Sequence, residues 1–96
     1  MAISCSYSTP ASSSAIVVDL LVAKARAISF SHDRTGIMHV YRRANSNPWA
    51  RIAVNAASPF VDEDAFAPGT LVEYRVEQHS VQGHCLWSSA VAGTQV

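Results

Sequence analysis

The chain has 96 residues, 49 % of them hydrophobic and 15 % charged, with seven basic and seven acidic side chains. Such a composition makes one globular domain rather than a disordered polymer, and a net charge of zero excludes long-range attraction to nucleic acid or an anionic membrane. The start, Met1-Ala2-Ile3-Ser4-Cys5, has neither the basic region nor the apolar core of an export signal, and the longest apolar run, 15–25, is broken by Asp19 and Lys24 and cannot span a bilayer.

Residues 1–14 read differently from the rest. Ser4, Ser6, Ser8, Ser12, Ser13 and Ser14, with Thr9 and Pro10, make a polar arm, yet Ile3, Cys5 and Tyr7 alternate with serines and suit addition to a sheet edge. The arm is expected to dock on a neighbouring subunit. From residue 15 the expectation is a run of short strands. The first spans 15–22 and the second 25–31, with Ile28 and Phe30 inward. A turn at 32–36 leads to the third, 37–43, with Met38 and Val40 on one face. After the turn Ala44-Asn45-Ser46-Asn47-Pro48 come a fourth strand, 49–54, and a short fifth, 58–61. The acidic corner Asp62-Glu63-Asp64 and the bend Pro68-Gly69-Thr70 follow.

The sixth strand, 71–79, carries the clearest pattern. Val72, Tyr74 and Val76 alternate with Glu73, Arg75 and Glu77, the period of a half-buried antiparallel strand. The seventh spans 86–95 after a turn at 80–84. Seven short strands with turns about every ten residues predict an all-β, seven-stranded Greek-key sandwich over 15–96.

The residues then resemble a fibronectin type III domain. Phe30 stands for the aromatic that ends the second strand, Val40-Tyr41-Arg42 for the third, and Trp49 with Ile52 for the fourth. Phe60-Val61-Asp62, Pro68-Gly69-Thr70 and Trp87-Ser88-Ser89 complete the order, so the resemblance covers about 16–96. The family's corner tyrosine would fall at Val72, so the hydroxyl that ties the corner to the backbone is missing there; Tyr74 lies two residues on, on the same face. An immunoglobulin-like sandwich of another subtype remains the alternative; no cysteine pair links the strands that carry one in true immunoglobulin domains.

Chemistry is sparse. His32 and His84 fall in turns, His39 and His79 on outward strand positions, and all four are expected to be exposed, without fixed-spacing partners. His79, His84 and Cys85 surround one hairpin, but their spacing matches no zinc motif. Asp62-Glu63-Asp64 lacks a calcium-loop pattern and reads as a solvated corner. Arg42, Arg43 and Arg51 read as solvated strand ends. No nucleophile elbow or phosphate loop occurs. The two cysteines, Cys5 and Cys85, would pair if the arm lay along the last strand; without an export signal, free thiols are expected. No catalytic residue, metal or cofactor is therefore expected. The expected partner-binding residues are Ile3, Cys5 and Tyr7 in the arm, and Tyr41, Trp49 and Trp87 on the body, because aromatic side chains bury much area with few torsions to freeze. In the resembled family the tryptophan at Trp87 packs over the outer sheet face, where Arg75 on the neighbouring strand could stack on it; that packing reading is preferred to partner contact for Trp87.

Fibronectin-like sandwiches mostly bind or space, although a fold does not set a function. A single domain beginning at Met1, with no export signal and a Ser-rich arm, suggests a non-enzymatic structural protein of a bacteriophage virion, assembled in the host cytoplasm. The expectation is a capsid decoration or accessory protein, or else a tail or fibre component. It would hold other virion proteins through its arm, in many copies whose avidity lets each contact be weak. The alternatives are a carbohydrate- or cell-surface-binding module that stacks glycans on Trp49, Tyr41 and Trp87, and a metal protein or enzyme built on His79, His84 and Cys85.

Overall fold

The computed structural model describes residues 16–31 and 36–96. The alternation at 71–79 becomes the longest strand and the organiser of the fold. In chain order the strands are β1 (Val17–Leu20), β2 (Arg26–Ser29), β3 (Ile37–Ala44), β4 (Ala50–Ala53), β5 (Phe60–Asp62), β6 (Leu71–His79), β7 (Cys85–Ser88) and β8 (Ala92–Gln95). All pairings are antiparallel. One sheet runs β1-β2-β5; the other runs β4-β3-β6-β7, with β8 also on β6.

The two sheets face one another across a single core. Ile16 and Ile28 come from the small sheet, and Met38, Val40, Val72, Tyr74 and Val76 from the large one. The five residues Met38, Val40, Val72, Tyr74 and Val76 are all completely buried. Phe30, Ala56 and Val96 close the ends of this core, and Phe60, Phe66 and Trp87 pack against it. The predicted inward positions of the sixth strand are therefore correct, and burial of this apolar area is the main force holding the layers together.

The described residues form eight strands rather than seven, because the last one is split. β7 and β8 lie in succession along the same edge of β6, opposite 77–79 and 71–74. Between them Ser89 interrupts the ladder. Its backbone N–H donates to the Val76 carbonyl at 2.8 Å, but its hydroxyl, not a carbonyl, accepts the Val76 N–H at 2.9 Å. A side-chain oxygen has replaced a backbone acceptor, so the strand cannot continue in register.

Other boundaries differ for local reasons. The first strand ends at Leu20 because a 3-10 turn follows at Val22–Lys24, with Ala23 and Lys24 both left-handed at φ 61° and 67°. The fifth strand lies at Phe60–Asp62, not 58–61, which brings Asp62 into the ladder opposite Arg26. The Pro68-Gly69 bend is a turn closed by Thr70 N–H donating to the Ala67 carbonyl at 3.1 Å, with Gly69 at φ 87°, a conformation that suits glycine. Gln78 sits buried at an inward position, and Gly36 makes room for it: a Cβ there would meet the Gln78 side chain at 2.1 Å.

Candidate functional site

Four polar side chains occupy inward positions at one end of the two sheets. Arg26 precedes Ile28 by two residues on β2, Asp62 follows Phe60 by two on β5, Arg42 follows Val40 by two on β3, and Tyr74 lies between Val72 and Val76 on β6. Their register brings them together. Arg26 Nε donates to the Tyr74 hydroxyl at 2.6 Å, and that hydroxyl donates to Asp62 Oδ2 at 2.5 Å. Arg26 also pairs with Asp62 directly at 3.2 Å, and Arg42 reaches both Asp62, at 3.0 Å, and Asp64, at 2.8 Å. The remaining Arg26 nitrogens donate to the carbonyls of Lys24 and Asp64. Both guanidiniums lie over the Phe66 ring, at 5.3 and 4.9 Å from its centroid.

The electrostatics follow from that geometry. Burial alone would push the Asp62 carboxyl up, but hydrogen bonds from Tyr74 and Arg42 outweigh it and hold the group below its ordinary value. Burial and the neighbouring carboxylate push the Tyr74 phenol up, so it remains a donor. The cluster is a saturated tie between the sheets. It corrects two expectations: Asp62 is buried rather than part of a solvated acidic corner, and Arg42 is an ion-paired residue rather than a solvated strand end. The Tyr74 hydroxyl bonds the side chains of Arg26 and Asp62 rather than the backbone, so it links the sheets through side chains. The sequence signal was present: a polar residue at an apolar-face position in four separate strands.

The outward face of the large sheet holds a second network. Arg43 and Arg75 lie over the Trp49 ring at 4.6 and 5.0 Å, and Arg51 and Arg75 lie over Tyr41 at 5.4 and 4.6 Å. Arg43 pairs with Glu73 at 2.8 Å, and Arg51 donates twice to the Tyr41 hydroxyl. Arg75 and His79 both pair with Glu77, which is completely buried. The rings of His79 and His39 meet edge to face at 4.7 Å. Hydrogen bonds from His79 and Arg75 hold the Glu77 carboxyl below its ordinary value, although burial opposes them. Burial pushes the His39 imidazole down, helped by Arg51 and His79.

These contacts correct three further expectations. His39 and His79 do lie on outward strand positions, but they are 7 % and 5 % exposed rather than open to solvent. Arg43 is paired with Glu73 and packed on Trp49 rather than solvated. Arg75 stacks on Trp49 and Tyr41, not on Trp87, because Trp87 stands opposite Gln78 and turns toward the core. The structure thus brings Tyr41 and Trp49 together through Arg75 and leaves Trp87 on the other side of the sheet. Ile3, Cys5 and Tyr7 lie outside the described residues, as does His32.

The group of possible ligands differs from the alternative of His79, His84 and Cys85. Glu77, His79 and Cys85 place ligand atoms within 4.8 Å of one another, whereas His84 is exposed in the turn before β7 and is not among them. Cys85 is disulfide-bonded, which corrects the expectation of free thiols; the sequence holds one other cysteine, Cys5. A disulfide sulfur offers no thiolate, and Glu77 is already held by Arg75 and His79. The group as it stands does not meet the four-ligand requirement of structural zinc.

The surface of the small sheet is different in kind. Val17 and Val61 point outward from β1 and β5, and Leu20, Leu21 and Val22 follow one another at the β1–β2 tip. Val22 is 92 % exposed. Lys24 is the only charge in the turn itself. No family model matches the chain, and comparison with curated proteins and with solved structures finds no match either.

Proposed function

We propose that the chain is a non-enzymatic binding module of fibronectin type III-like, Greek-key form, serving as an accessory subunit of a large assembly; a virus particle, with the protein in a decoration role, is the setting the sequence reading favours. The three-stranded order β1-β2-β5 facing β4-β3-β6, with a split last strand on β6, supports the fibronectin-like form. The observation that carries the binding role is the apolar tip Leu20-Leu21-Val22; Val17 and Val61 are exposed on the outward face of the same sheet, where Asp19 lies between Val17 and the tip. Scattered exposed aliphatic side chains mean little, but consecutive ones at a turn are where water would be displaced by a partner. Among the described residues, Asp62, Tyr74, Glu77, His79 and His39 are engaged in the two networks.

Glycan stacking remains the second reading, narrowed to Tyr41 and Trp49, which share Arg75 on one face. The test is sedimentation of a native extract from cells that make the protein. A subunit of a large assembly travels with particles far heavier than its own 10.3 kDa. Recovery of all the protein as a free monomer overturns the proposal.

A further inference from the structure

Among the described residues, Asp19, Lys24, Glu63 and Arg51 are the carboxylates and basic side chains that enter no ion pair. Arg51 belongs to the large sheet and is held by the Tyr41 hydroxyl. The others gather at the small sheet. Asp19 lies on β1 opposite Ala27, which is in turn opposite Val61, so Asp19 and Val61 flank β2 on the outward face. Lys24 ends the β1–β2 turn, and Glu63 follows the last residue of β5. Between Asp19 and Lys24 the chain presents Leu20, Leu21 and Val22, all exposed.

The backbone fixes this tip. Leu21 N–H donates to the Ala25 carbonyl at 2.6 Å, and Lys24 N–H donates to the Leu21 carbonyl at 3.2 Å. The apolar side chains therefore stand on a closed turn, and little backbone ordering is left to oppose binding. In order, the hairpin offers an acid, an apolar knob and a base. That order is its own complement. A two-fold contact brings residue i of one copy to residue j of the other, and j to i. Two such tips side by side and antiparallel set each Asp19 beside the other copy's Lys24, with Leu21 and Val22 of both copies between these pairs. An anionic lipid surface would suit Lys24 but set Asp19 against like charge. Among the described strands β1 pairs only with β2, yet the exposed Asp19 charge hinders strand-to-strand addition at that edge, so the contact is made by the tip.

We infer that the β1–β2 hairpin is a two-fold contact between copies of this chain, with Leu21 and Val22 at its centre and reciprocal Asp19–Lys24 pairs at its rim. The inference rests on the proposed binding role of the tip and names its occupant; paired copies are then the units from which the larger assembly is built. Rim pairs add little affinity but reject mismatched charge. Removing one charge, as in Lys24→Ala, weakens the contact only slightly, whereas reversing one sets like charges together twice in each dimer.

Sedimentation velocity of the purified full chain tests this. The parent should pass from monomer to dimer as its concentration rises. Asp19→Lys and Lys24→Asp should each weaken the dimer about tenfold or more, with the far-ultraviolet spectrum unchanged. An equimolar mixture of the two variants should restore it, because each meets its complement in the other. Glu63→Lys should dimerise like the parent. Isotope-filtered Overhauser contacts between labelled and unlabelled parent copies should join the methyl groups of Leu21 and Val22, and need no variant. A parent that stays monomeric at every concentration overturns the inference, as does a mixture of variants that associates no better than either alone. Loss of the dimer in Glu63→Lys, or intermolecular contacts that avoid the tip, also overturns it. So does a monomer that floats with phosphatidylcholine vesicles, which gives the tip to a lipid surface. A dimer from cells whose extract holds no heavy fraction overturns the assembly reading and leaves this contact standing; a monomer that still travels with heavy particles does the reverse.

Discussion

The Tyr74 hydroxyl donates to Asp62 Oδ2 at 2.5 Å, joining β6 of one sheet to β5 of the other. The same oxygen accepts from Arg26 Nε, so one phenol satisfies a buried cation and a buried anion together. Tyr74→Phe keeps the ring in the core and removes only that link. Leaving two buried polar partners short of a bond costs about 1–3 kcal/mol. Asp62→Asn should cost more, about 3–5 kcal/mol, because the Arg26 charge loses its buried counter-ion. Urea unfolding of both variants checks the order, with Asp62→Asn the weaker protein. A Tyr74→Phe protein as stable as the parent would show that the tie contributes nothing.

Acid should destabilise the fold in two stages. His39 is held below its ordinary value of 6.5, so the unfolded chain takes up the proton more readily than the folded one. Its contribution is complete above that value and is lost as pH falls toward the folded value. Asp62 and Glu77 are held below 3.8 and 4.5, so their contribution is present above those values and lost below them. Each group gives a slope of at most about 1.4 kcal/mol per pH unit within its window. Denaturant midpoints between pH 8 and 3 should therefore fall first near pH 6 and again below pH 4.5. His39→Gln should flatten the first decline and leave the second.

The alternation of β6 was plain in the sequence because side-chain direction in a strand is a local property. Coverage is not local. The pattern placed Glu77 and His79 outward, correctly, but could not say that the outward face near them is buried. The acidic run Asp62-Glu63-Asp64 shows the same limit: three similar side chains, of which strand register alone selects Asp62 for burial opposite Arg26. The choice of Trp49 over Trp87 as the partner of Arg75 rests on a single position, since Trp87 opposes Gln78 rather than Glu77 and so faces inward. Ser89 was read as part of one continuous strand, and only its hydroxyl on the Val76 N–H reveals the break.

Trp49 is predicted to matter for stability. Its ring carries Arg43 and Arg75, which in turn are held by Glu73 and Glu77. Cation–π contacts of this kind contribute about 0.5–2 kcal/mol each. Trp49→Ala should lower stability by about 1–3 kcal/mol in a denaturant titration with the far-ultraviolet spectrum unchanged. Trp49→Phe, which keeps a ring for both guanidiniums, should recover part of the loss. If Trp49→Ala leaves stability untouched, the ring is free for a partner and the glycan reading gains.

The tip residues should behave in the opposite way. Val22 is almost fully exposed and Leu21 is 41 % exposed, so neither contributes much to the core. Substitutions at such positions usually change stability by less than about 0.5 kcal/mol. A charge there would nevertheless be costly in a desolvated interface, because an unpaired ion must be taken out of water. The double variant Leu21→Asp, Val22→Asp should thus fold with the parent's midpoint and fail to sediment with the heavy fraction. Lys24→Ala, beside the tip but polar in the parent, is the matched control and should sediment normally. Loss of stability in the double variant would assign the tip to the fold, and normal sedimentation of a stable double variant would move the partner surface away from the small sheet.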